Sequence, residues 1–170
     1  MRVYVPATLT MLAQLVTDGS LRPVNGTAFA VTPTLREAYS EGDDDELADV
    51  ALREAALASL RLIGNDAAAT EGLPARRAVL EADFGDAADV KLRPDLDDAV
   101  VRLAGEIPLE RVIAAYVDNA AAEPAVRAAV EVVDAADLGD EDAELTVGDA
   151  QDHDLAWYAP QELPFLLELL

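Results

Sequence analysis

Residues 46–65 read E-L-A-D-V-A-L-R-E-A-A-L-A-S-L-R-L-I-G-N. Leu47, Val50, Ala51, Ala55, Ala58 and Leu62 recur at helical spacing, and Leu57, Leu60 and Ile63 widen the stripe. An apolar face this broad fits a helix lying on a sheet. Asp43, Asp44 and Asp45 sit well against the positive end of a helix that starts near Glu46, and Gly64 and Asn65 end it.

The flanking segments supply the strands of that sheet. Upstream, Arg2–Val5 alternates, with Val3 and Val5 on one face and Tyr4 on the other, and Pro6 is expected to stop the ladder. Leu9, Leu12, Leu15 and Val16 then mark a helix, with Thr8 as N-cap and Gly19 just past its end. A turn at Pro23, Asn25 and Gly26 leads to a strand over Thr27–Val31. Thr34 and Glu37 stand as a capping box for a short helix reaching about Tyr39.

Downstream, a loop is expected from Asp66 to Pro74, then a strand from Arg77 to Phe84. Its Ala78, Leu80 and Ala82 face one way, and Val79 and Glu81 the other. Gly85–Asp98 reads as irregular, with Val90 and Leu92 in a short edge pairing. Val100–Ile107 reads as a strand, although Asp95–Leu103 also fits a helix. Pro108–Arg111 makes a helical turn before a buried strand, Val112–Val117, and Glu123-Pro124 starts a helix through Val126, Val130 and Val133. A last strand covers Leu155–Tyr158, and Pro160 fits the first turn of a terminal helix that Pro164 makes irregular. Strands alternating with helices indicate an α/β domain, with α+β left open: a mixed sheet of about five or six strands covered by helices. At 170 residues and 52% apolar, one domain over 1–170 suffices, with an acidic segment at 134–154.

No Lys or Arg follows Arg127, whereas twelve acids do, out of a net charge of −22. Such a surface disfavours nucleic acid and anionic membranes as partners, since phosphate binding needs clustered cations. It attracts basic partners, or it serves solubility alone. The absence of cysteine removes disulfides and thiolate chemistry and suits a cytoplasmic setting. Pro6, Thr8, Thr10 and Gln14 interrupt the apolar N-terminus, which lacks the marks of a signal peptide.

Familiar catalytic signatures are missing. The nine glycines form no dinucleotide fingerprint or phosphate loop, and Ser20, Ser40 and Ser59 sit in no nucleophile elbow. One histidine cannot build a two-histidine zinc site within the chain. The remaining candidates each have an ordinary structural reading beside them. His153, between Asp152 and Asp154, is an acid–base candidate or a surface residue. Asp118 and Asp83 follow strands, where ligand contacts cluster, but Asp is also a common turn former. Asp140, Asp142 and Glu144 alternate like ion ligands, yet lack the glycine and twelfth-position glutamate of a calcium loop. Trp157, Tyr158 and Phe165, with Asp152 and His153, make a partner-binding surface or a docked terminus that closes the core.

Three stretches, M-R-V-Y-V-P-A-T-L, A-V-T-P-T-L-R-E-A-Y and D-L-G-D-E-D-A with D-H-D-L-A-W-Y-A-P-Q-E-L, together resemble a family of actinobacterial proteins. Its domain of unknown function covers nearly the full length. The resemblance implies a bacterial cytoplasmic setting and no assigned chemistry. The leading expectation is a non-catalytic interaction or self-associating module without a cofactor, binding a protein partner or a second copy. The alternatives are a small Asp/Glu hydrolase, with a divalent metal or His153, and an acidic mimic of nucleic acid.

Overall fold

The computed structural model describes residues 1–39, 41–65, 72–85 and 89–170. The loop expected at Asp66–Pro74 lies outside them as far as Glu71, as do residues 86–88 of the irregular stretch. The strands are β1 (Arg2–Ala7), β2 (Ser20–Leu21), β3 (Thr27–Phe29), β4 (Ala78–Asp83), β5 (Val90–Leu92), β6 (Val100–Leu103), β7 (Ile107–Pro108), β8 (Val112–Val117) and β9 (Ala156–Tyr158). The helices are α1 (Leu9–Asp18), α2 (Pro33–Ala38), α3 (Asp44–Asn65), α4 (Glu123–Asp137), α5 (Glu141–Gln151) and α6 (Leu163–Glu168). A seven-stranded sheet runs in the order β5-β6-β3-β1-β4-β8-β9, and β2 and β7 form a separate pair. The α/β architecture is as expected, on a sheet wider than five or six strands. Every pairing among the described strands is antiparallel.

Strand alternation divides the core between the two sheet faces. Val3, Val5 and Ala7 of β1, with Leu80 and Ala82 of β4, pack under Leu9, Leu12 and Leu15 of α1 and Leu163 and Leu166 of α6. Tyr4, Phe29, Val79 and Val100 point the other way, against Leu47, Ala51 and Ala55 of α3. Beyond the sheet, Leu60 and Ile63 of α3 meet Val126 and Val133 of α4 and Val147 and Ala150 of α5 in a helical third layer.

Ser59, in the middle of the α3 stripe, is fully buried. Its hydroxyl donates to Ala7 O at 2.7 Å and accepts from Ala78 N–H at 3.0 Å. Ala7 and Ala78 are cross-strand partners, so this helix places a hydroxyl between two strands at the end of their ladder.

Several expectations need correction. Pro6 does not end β1: it pairs with Val79. Met1 and Phe84 exchange both backbone hydrogen bonds, at 2.7 and 2.9 Å, so odd-numbered residues of β1 bond to β4. Pro6 therefore turns its missing donor towards β3, which pairs with β1 only at Tyr4↔Phe29. The cap of α2 is Thr32, which accepts from Leu35 N–H at 3.0 Å, because Pro33 occupies the first turn and moves the start two residues before Thr34. The helical reading of Asp95–Leu103 fails, since Val100–Leu103 pairs with both β3 and β5. The acidic stretch contains a helix that its periodicity does not announce: α5, stopped from α4 by Gly139 at φ +93° and capped by Asp140 on Ala143 N–H at 2.9 Å.

Candidate functional site: a carboxylate-floored cleft on the sheet

Register places Tyr4 beside Glu81, Val79 beside Tyr116, and Tyr116 beside Trp157, all on the α3 face. At Glu81/Ala82 the β4–β8 register slips by one residue. A bulge of this kind re-aims the extra side chain, and here Ile113 lines the same hollow. Asp44, Asp45, Ala48, Asp49 and Leu52 from the first half of α3 form the opposite wall. Between wall and sheet lies a cleft of about 840 Å³, with Arg2 and Arg36 at its margin.

Glu81 forms the floor. It is only 5% exposed. The Tyr116 hydroxyl donates to its Oε1 at 3.2 Å, and Tyr4 is its cross-strand neighbour on β1. Burial, and then the Glu81 charge, push the Tyr116 phenol up to about 12, and the same two causes raise Tyr4. Both phenols therefore stay protonated, and Tyr116 is the donor to the Glu81 carboxylate. Its one ion pair among the described residues is weak: Arg2 Nη1 stands 3.8 Å away on a side chain 64% exposed. Solvent screening makes such a pair worth little. Among the described residues, the buried Glu81 side chain thus lines an open cleft with a phenol donor and no buried Lys or Arg beside it. Trp157, 57% exposed, stands at the rim.

A family model matches residues 1–167. The chain belongs to DUF6912, a family of unknown function. Every element of the cleft falls inside the DUF6912 match, from Arg2 to Trp157. No match was found among curated proteins or among solved structures. Among the described residues no helix is long and apolar enough to cross a membrane.

The residues singled out in the DUF6912 sequence scatter. Asp118 is fully buried, and both its oxygens are held by Arg77: Oδ2 accepts from the backbone N–H and from Nε at 2.8 Å, and Oδ1 from Nη2 at 2.7 Å. That is a structural clamp with no oxygen facing a substrate. Arg77 Nη2 also donates to the His153 carbonyl at 2.7 Å, tying the segment before β9 to β4. His153 is half-buried on a separate cavity of about 50 Å³, with Arg77 and Gln151. Asp83 is half-exposed and pairs with the N-terminal ammonium at 3.6 Å. Asp140 is spent on its cap, and Asp142 and Glu144 are exposed in the first turn of α5, where acids favour the helix dipole. No group of three His, Cys, Asp or Glu side chains could hold a metal ion among the described residues.

The expected aromatic surface is divided. Trp157 faces the cleft, whereas Tyr158, its neighbour on a pleated strand, turns to the opposite core beside Leu163 and Leu166. Phe165 is exposed on α6, and Asp152 ends α5 in solvent. Sequence reading passed over Glu81, Tyr4 and Tyr116. The signal was one polar or phenolic residue on the same face of each of three otherwise apolar strands, V-Y-V, V-L-E-A and A-A-Y-V.

Proposed function

We propose that the protein is a non-catalytic binding module that receives a basic protein segment in the cleft above Glu81. One observation carries the reading: the buried Glu81 carboxylate lines the cleft, and among the described residues no buried cation stands beside it. An incoming guanidinium or ammonium supplies that charge where the dielectric is low and the attraction strong. Asp45 and Asp49 on the α3 wall and the net charge of −22 steer such a partner, and Trp157 offers an aromatic face to it. A carboxylate hydrolase is the weaker reading, because Asp118 commits both oxygens to Arg77. Mimicry of nucleic acid would rest on the exposed acids of α4 and α5 and would be indifferent to Glu81. The absence of cysteine and of a spanning helix among the described residues fits our placing of the module in the cytoplasm.

Trp157 is the only tryptophan, so its emission reports on the cleft alone. Titrating nona-arginine into the protein at low salt should shift that emission, and Glu81→Gln should weaken binding about tenfold, or ~1.4 kcal/mol. Equal binding by wild type and Glu81→Gln would refute the floor as the recognition element. Binding without any change at Trp157 would place the peptide elsewhere.

A further inference from the structure

The two edges of the seven-stranded sheet are defended differently. Edge strands expose unpaired backbone groups, and proteins commonly guard them with lysine or proline. β5, at one end, reads V-K-L, carries the chain's single lysine, and is followed by Pro94. β9, at the other end, reads A-W-Y, and no strand pairs with its outer side among the described residues.

Register identifies the groups that β9 leaves open. Asp118 N–H donates to Arg77 O at 3.1 Å, so Asp118 and Tyr116 bond towards β4. Val117 and Ala115 then bond towards β9, opposite Ala156 and Tyr158. Trp157 lies between those two, and its own N–H and C=O point out from the sheet. The next outward donor, Ala159 N–H, is already taken by Glu162 Oε1 at 3.1 Å. The open edge is therefore one hydrogen-bonding pair long, and the residue that carries it also presents its side chain to the cleft.

We infer that the basic partner binds as an extended strand, adding to the sheet beside β9 and pairing with the Trp157 backbone. This inference rests on the function proposed above. An added strand alternates its side chains, so every second one comes down on the cleft face, in the row of Trp157, Tyr116 and Val79 and at the rim of the hollow that Glu81 floors. Charge selects the occupant. A second copy brings another −22, whereas a basic strand meets Asp152 and Asp154 just before β9 and Asp49 across the cleft.

The test uses an eight-residue peptide alternating Arg and Val, with two isomers N-methylated on one or the other alternate set of amides. Methylation removes donors from one edge of a strand and leaves side chains unchanged. Strand addition predicts that one isomer loses at least tenfold in affinity, read from Trp157 emission, and that the other binds as the parent does. The Trp157 amide should also gain protection from hydrogen exchange on binding the parent. Two isomers that bind alike would overturn strand addition while leaving the basic-partner function standing. A parent peptide that leaves Trp157 unchanged would remove the proposed function itself. A dimer of the protein alone, with the Trp157 amide protected, would assign the edge to a second copy and end this inference.

Discussion

Replacing Asp118 by Asn should be among the most damaging isosteric changes in the molecule. The Arg77 guanidinium is buried, and Asp118 is its counter-ion through two side-chain hydrogen bonds of 2.7 and 2.8 Å. The amide keeps the shape and one acceptor, but it leaves a buried positive charge uncompensated. Breaking one side of a buried pair typically costs 3–5 kcal/mol, so a loss of about 4 kcal/mol is expected. For a chain of 170 residues that corresponds to a fall in Tm of roughly 8–16 °C. Urea unfolding followed by circular dichroism measures it, with the slope confirming an unchanged transition. The double change Arg77→Met with Asp118→Leu removes both charges and should recover part of the loss. About 1–3 kcal/mol should remain, because the Arg77 backbone N–H and the His153 carbonyl lose their partners. A single-mutant cost below about 1 kcal/mol would contradict this account of the pair, as would a double mutant less stable than the single.

Other perturbations test other parts of the frame. Tyr116 titrates near 12 in the folded chain and about 10 unfolded, so its contribution is fully present below pH 10 and is lost as pH rises through 12. Denaturant midpoints should therefore fall over that window, with a component of tyrosinate absorbance appearing near 12. In Glu81→Gln that component should move down without reaching 10, because burial is the larger cause and remains. Ser59→Ala strands Ala78 N–H and Ala7 C=O inside the protein and should cost about 1–3 kcal/mol in chemical denaturation. A change under 0.5 kcal/mol would show the two strands closing on each other without the hydroxyl.

What the sequence disclosed followed from how local each signal is. Thr8 and Gly19 bracket α1 as read, because a cap is decided within four residues. The stripe of α3 was legible for its length, and β4 for its apolar run. α5 escaped because it buries only Ala143, Val147 and Ala150, while Leu145, its largest apolar residue, is 70% exposed. Its boundary was nevertheless written in Gly139-Asp140, a stop followed by a cap. Strand order was illegible, since β1 draws partners from residues 29 and 78–83 through contacts that no local pattern encodes. The cleft was hidden for a related reason. An acid within a strand reads as a solvent-facing position, and only the assembled sheet shows Tyr4 and Tyr116 closing around Glu81.

The Ser59 hydroxyl has a bearing on the cleft as well as on the ladder. Leu47, Ala51 and Ala55 seat one flank of α3 on the sheet, and the hydroxyl pegs the same helix farther along to the ends of β1 and β4. Two fixed points on a rigid rod leave it free neither to slide nor to roll, so the acidic flank keeps its distance from Trp157. If the proposed function holds, a guest meets a seat already shaped, and the entropy of arranging its walls has been lost at folding, before any encounter.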